Sequence, residues 1–206
     1  KRGYAVALSN TGNIYYYIDS SRQALKYYLQ AIDVFNSLHQ DNSLADVENN
    51  IGSVYTDLKQ YDQAVDYYQR ALTIYQKLNN KYGIAMCYGN IGNVYNEKGE
   101  PEKGVKYLED DVQMARTINS KDDIASAYGF LAEGYSKMGN YKKAYEYQLD
   151  LSNLKDTLFS EESSKQVNDM QVKYDTEKKD HENKILELSV NRQKLINYSI
   201  TVGLIL

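Results

Sequence analysis

"GNIGNVYNEKG", residues 89–99, is written nearly unchanged twice upstream, as "SNTGNIYYYID" from Ser9 and "NNIGSVYTDLK" from Asn49, and more loosely downstream as "FLAEGYSKMGN" from Phe130. Gly12, Gly52 and Gly92 stand 40 residues apart, and the next step of 40 reaches Ala132. Tyr15, Tyr55, Tyr95 and Tyr135 keep the same interval three residues later. A second set runs in phase: Ala24, Ala64, Gly104 and Ala144 lie 12 residues after the first, followed four later by Tyr28, Tyr68, Leu108 and Gln148. A fixed period of this size marks stacked units, none of which can bury its apolar face alone.

Inside one unit, Val47, Ile51, Val54 and Leu58 recur at steps of three and four, and Tyr61, Ala64, Tyr68, Ala71 and Tyr75 do so again after a break. That spacing collects apolar side chains on one stripe of a helix, so each unit is predicted to hold two amphipathic helices. The breaks "IDSSR", "LKQYD", "KGEPE" and "MGNYK" are short, which makes the two helices antiparallel neighbours, and Pro101 suits the first turn of a second helix. A glycine in mid-helix costs about 0.5–1 kcal/mol relative to alanine. Three in phase therefore predict a close approach by the small residue of the unit's second helix.

The bulk numbers exclude several functions. A net charge of −4 with 25% charged residues and no basic cluster argues against a nucleic-acid partner. A single cysteine, Cys87, builds neither an internal disulfide nor a zinc site; between Met86 and Tyr88 it reads as a small buried hydrophobe. His39 with Asp41 offers too few ligands for a metal and reads as an exposed loop histidine. No nucleophile, acid and base converge, so neither an enzyme nor a cofactor is expected within the chain. With 22 tyrosines, one proline and no tryptophan, the chain favours helices with half-wet seams. In the doublets Tyr27–Tyr28 and Tyr67–Tyr68, adjacent positions diverge by about 100°, so one ring of each should pack and the other show at the surface.

These positions resemble the tetratricopeptide repeat, whose consensus sets Gly or Ala, then Tyr three later, Ala twelve after the first, an aromatic four further and Ala three beyond. Gly12, Tyr15, Ala24, Tyr28 and Ala31 match throughout, as do Gly52, Tyr55, Ala64, Tyr68 and Ala71. The third unit keeps Gly92 and Tyr95 but has Gly104, Leu108 and Asp111, and the fourth has Ala132, Tyr135, Ala144, Gln148 and Leu151. Asp111 predicts a locally adjusted seam. The 40-residue unit exceeds the family's usual length of about 34 and is similar to the longer-helix members, such as kinesin light chains and bacterial peptide-sensing regulators. The resemblance implies an all-α superhelix of four repeats, at about 3–41, 42–81, 82–121 and 122–159, followed by a long C-terminal helix.

In such a superhelix the first helix of each repeat lines a concave groove, and the residue two before the glycine points into it: Asn10, Asn50, Asn90 and Phe130. The resemblance implies that these asparagines grip the backbone of an extended peptide, since a carboxamide both donates and accepts. Asn13, Asn93, Asn96, Tyr16 and Thr56 fall on neighbouring groove positions, and Asn49 stands with them. An asparagine can equally cap a turn or bond within its own helix. A carboxylate clamp is not expected, because its positions hold Ser9, Asn49, Gly89 and Gly129 rather than lysine or arginine.

Beyond the repeats, residues 160–194 spell "SEESSKQVNDMQVKYDTEKKDHENKILELSVNRQK", with Val167, Met170, Tyr174, His181, Ile185, Leu188 and Leu195 at threes, fours and sevens. A long capping and stalk helix with a narrow apolar stripe is expected, paired most simply with its twin in a homodimer. The uncharged "LINYSITVGLIL", 195–206, is shorter than the roughly 20 residues of a span and reads as the opening of a membrane helix that continues past Leu206, or else as an amphipathic tail. The chain opens on Lys1 and reads as part of a longer protein. This order resembles the extracytoplasmic region of bacterial membrane-bound tetratricopeptide sensor kinases and related transcriptional regulators. That resemblance implies a membrane-anchored, periplasmic sensor, with a cytoplasmic placement as the alternative and a non-signalling adaptor as the rival function. "DHENK" around His181 lacks the residues that follow a phosphoacceptor histidine.

Overall fold

The computed structural model describes residues 1–203, and among these the secondary structure is helical throughout, without a strand. Three helical pairs come first: α1 (Arg2–Tyr17) with α2 (Ser21–Ser37), α3 (Asp41–Asp57) with α4 (Tyr61–Lys77), and α5 (Lys81–Lys98) with α6 (Pro101–Thr117). Then α7 (Lys121–Lys137) pairs with the start of α8 (Tyr141–Gly203). Contacts divide the chain into two units, one of Lys1–Lys155 and one beginning at Asp156. No helix break separates the fourth repeat from the expected stalk, because α8 runs through residue 160.

The turns obey a shorter period than the repeats. Asp19, His39, Lys59, Asn79, Gly99, Asn119 and Gly139 all have positive φ, between 52° and 86°, and fall 20 residues apart. After each, the next amide reaches back to the carbonyl five residues earlier, as in Ser20 N to Tyr15 O at 2.8 Å and Gln60 N to Tyr55 O at 2.8 Å. This closes the carbonyls that a helix C-terminus leaves unsatisfied. His39 is therefore a turn residue, and its ring is exposed.

The repeating glycines have a packing cause, and in the first two repeats the nearest neighbour is the aromatic of the second helix. A Cβ on Gly12 would stand 2.5 Å from the Tyr28 ring, and one on Gly52 2.6 Å from the Tyr68 ring. The aromatic of the second helix thus lies flat on the glycine of the first, and burying each ring contributes about 1.5–3 kcal/mol. In the third repeat small residues meet as well, where a Cβ on Gly92 would approach Gly104 O at 3.0 Å and Leu108 at 2.6 Å. The other ring of each doublet is half-buried rather than bare. Tyr27 stacks on Tyr15 at 5.3 Å and Tyr67 on Tyr55 at 5.5 Å, and the pattern continues with Tyr107 on Tyr95 and Tyr147 on Tyr135.

Asp111 occupies the place of Ala31 and Ala71 and is only 5% exposed. The seam is adjusted by Gly89, whose missing Cβ would lie 2.8 Å from Asp111 Oδ2. Its Oδ1 has no hydrogen-bond partner. Desolvation, reinforced by the charge of Asp123, raises this carboxyl to about 7. Glu48, likewise buried with Oε2 unpartnered, is raised to about 7 by burial, with Arg70 opposing the shift.

Candidate functional site

The helices α1, α3, α5 and α7 carry every residue expected to line the groove, yet their side chains divide into straps and open positions. Asn13 Oδ1 accepts from Tyr28 Oη at 2.7 Å and from Asn50 Nδ2 at 3.1 Å, tying α1 to α2 and α3. Asn49 Oδ1 accepts from Asn90 Nδ2 at 3.0 Å and lies 4.0 Å from Cys87 Sγ, tying α3 to α5. Asn96 Nδ2 donates to Phe130 O at 2.9 Å, and Lys137 Nζ donates back to Asn96 O at 2.9 Å, tying α5 to α7. Carboxamides thus link each first helix to the next, a use that sequence position alone does not reveal.

Two of the expected groove residues are corrected by burial. Asn96 is 0% exposed and sits between repeats, in room left by glycines: a Cβ on Gly104 or Gly134 would fall 2.5 or 2.8 Å from Asn96 Oδ1. Asn49, at 6% exposed, is likewise in the seam. Neither side chain is open to a ligand. Asn93 donates to Glu97 Oε1 at 3.1 Å within its own helix, and Thr56 Oγ1 bonds back to Gly52 O at 3.0 Å. Both follow the local-bonding alternative.

The residues the fold does bring together are those of the first two repeats. Asn13, Tyr16, Tyr17, Tyr28, Asn50 and Ser53 line a hollow of about 130 Å³. Its wall is hydroxyl and carboxamide, with Ser53 Oγ 3.1 Å from Tyr68 Oη continuing the row. Burial first, and then the neighbouring Asp57 carboxylate, push the Tyr16 hydroxyl well above the usual tyrosine range. Burial raises Tyr28 to about 12. The one proton of Tyr28 is committed to Asn13 Oδ1, so toward a ligand its hydroxyl oxygen accepts. Asn10 is exposed and Asn90 and Phe130 are half-buried, outside this hollow.

Among the described residues no group of three or more His, Cys, Asp and Glu is placed to hold a metal ion. Cys87 is fully buried, and burial pushes its thiol up to about 12, which leaves it un-ionised and inert at neutral pH. Among the described residues no helix is long and apolar enough to cross a membrane. The expected membrane entry at 195–206 is helical to Gly203, and its last three residues lie outside the described residues.

Helical pairs in constant phase, tied first helix to first helix, build an all-α solenoid like that of tetratricopeptide-repeat proteins. The tetratricopeptide repeat family model matches residues 43–117, the span of α3 to α6. No curated protein matches the sequence. Among solved structures, BtubC (BKLC) from P. vanneervenii superposes with a TM-score of 0.70 at 17% identity, over 75% of this chain and 64% of that one. Aspartyl phosphate phosphatase F from Bacillus subtilis gives 0.73 at 20% identity, over 76% and 41%. A Rap protein complexed with Competence and Sporulation Factor gives 0.63 at 21%, over 71% and 42%. The chain thus spans about two-thirds of the first and two-fifths of the others, and the likeness is one of fold.

Proposed function

We propose that residues 1–155 form a binding module that takes an extended peptide or protein segment in the hollow between the first two repeats. The observation carrying this reading is the uncharged row of Asn13, Tyr16, Tyr17, Tyr28, Asn50 and Ser53, which offers donors and acceptors side by side without a fixed charge. Such a surface pairs with main-chain N–H and C=O whatever the side chains, which suits an extended backbone. A Rap protein of the same fold has been solved with Competence and Sporulation Factor, and this lends the reading support by analogy of fold. Asn50 keeps one amide hydrogen and its Oδ1 beyond the bond to Asn13. The test is peptide-display selection on the chain, followed by fluorescence anisotropy of the selected sequences. Asn50→Ala and Ser53→Ala together should weaken binding by about tenfold, at roughly 1.4 kcal/mol; unchanged affinity refutes the site.

In the finer form of this reading, the module is the sensor of a membrane-anchored, periplasmic signalling protein, and it reports to an output domain through a paired stalk. Phe159, Val167, Met170, Tyr174 and Leu188 on α8 are each more than 60% exposed, a stripe that a second copy of the helix would cover. Sedimentation of the chain should give a dimer that Met170→Glu dissociates, and a monomer in both removes the stalk pairing. Flotation with lipid vesicles tests the membrane entry; no flotation leaves the adaptor role, in which the solenoid joins proteins without a regulated state.

A further inference from the structure

A second hollow, of about 430 Å³, opens at the other end of the solenoid, among α6, α7 and the first turns of α8. That volume lies in the range of about 300–1,000 Å³ typical of small-molecule sites. Its apolar surface comes from Val112 and Leu131, framed by Tyr128 and Tyr147, whose rings stand 5.6 Å apart. Its charges divide into a satisfied group and an open one. Lys143 Nζ donates to Tyr135 Oη at 3.1 Å, and Tyr135 Oη donates to Glu109 Oε1 at 2.9 Å, so this cation and carboxylate are held through one hydroxyl.

The open group is Arg116 against two carboxylates of α8. Arg116 donates to a neutral partner, Tyr128 Oη at 3.1 Å, and among the described residues it has no carboxylate within ion-pair distance. Most of its five donors are left to point elsewhere. Across the hollow, Glu146 and Asp150 are one helical turn apart on the same face. Among the described residues Glu146 has one ion pair, with the exposed Lys142 at 4.0 Å.

One repeat earlier the aromatic frame recurs as Tyr88 and Tyr107, but Gln76 stands for Arg116 and Lys106 for Glu146. Asp110 keeps the acid of Asp150, so what belongs to this hollow and not to the repeat is the set of one arginine facing two carboxylates. A plain anion would meet the carboxylates, and a plain cation would meet Arg116. A ligand carrying both charges on a small apolar body matches every wall.

We propose that this hollow binds a small zwitterion, a free α-amino acid or a dipeptide, with its carboxylate on the Arg116 fork and its ammonium between Glu146 and Asp150. A bidentate guanidinium–carboxylate contact is the strongest polar contact available here. The side chain of the ligand lies against Tyr128 and Tyr147.

The twenty free L-amino acids and a set of glycyl dipeptides, at millimolar concentration, are the probes for thermal-shift screening and calorimetry of the full chain. At least one should raise the unfolding temperature. Its affinity should fall about tenfold or more both in Arg116→Gln and in Asp150→Asn, since each removes one charge-assisted contact. The N-acetyl and the amide derivatives of the same compound should lose binding as well. Both substituted side chains are exposed, and circular dichroism confirms that the variants fold. The proposal is overturned if no probe binds, if either variant keeps wild-type affinity, or if a derivative lacking one charge binds as tightly.

Discussion

Replacing Asp111 by alanine should make the solenoid more stable, and increasingly so as the pH rises. The carboxyl is 5% exposed, and burial beside Asp123 moves it from its ordinary 3.8 to about 7. The folded chain therefore holds this proton more tightly than the unfolded chain. Below pH 4 both states carry it, and the group is neutral to stability. Stability is lost as the pH rises past the unfolded value, and the loss is complete above about 7. At about 1.4 kcal/mol per tenfold of proton affinity, the full effect is on the order of 4 kcal/mol, of which roughly 2–3 kcal/mol develops between pH 5 and 8. Alanine already stands at this position in the first two repeats, as Ala31 and Ala71. Urea unfolding of both proteins at half-unit pH steps gives a difference curve in which the Glu48 contribution cancels. The variant should gain about 2–3 kcal/mol over wild type between pH 5 and 8, or about 5–10 °C in unfolding temperature for a chain of this size. A flat difference curve, or a variant less stable than wild type at pH 8, refutes the reasoning.

Three further outcomes follow from the packing. Gly52→Ala places a Cβ 2.6 Å from the Tyr68 ring and should cost about 1–3 kcal/mol in thermal unfolding, whereas Gly3→Ala, with nothing within 4 Å, should be neutral or gain up to about 1 kcal/mol. Lys59→Gly should gain about 1 kcal/mol in denaturant unfolding, because lysine at φ 57° carries a left-handed strain that glycine does not. Asn49→Ala removes the acceptor of Asn90 and should cost about 1–2 kcal/mol, with faster amide exchange where α3 meets α5.

The repeat was legible because its determinants are local: a small residue, an aromatic sixteen later and a fixed interval are visible in any window of 40 residues. The direction of the asparagines was not. Asn49 and Asn50 are neighbours about 100° apart on one helix, and which of them is buried depends on Cys87 and Asn90 of the next repeat. Asn96 could enter the seam only because Gly104 and Gly134, on two other helices, leave room for its carboxamide. The turns were half legible, since Gly99 and Gly139 announce a left-handed residue while Lys59 and His39 do not. The hollow beside Arg116 draws on three helices, so no single stretch of sequence displays it.

The 20-residue cadence of the turns has a consequence for how the chain can be rebuilt. Asp41 and Lys81 begin equivalent helices after equivalent left-handed joints, at His39 and Asn79. Cutting out residues 41–80, or copying them in tandem, should therefore leave every splice with the backbone geometry it already has. The protein should behave as a ruler whose length is edited in whole divisions, while an insertion of any other size should throw all later divisions out of step.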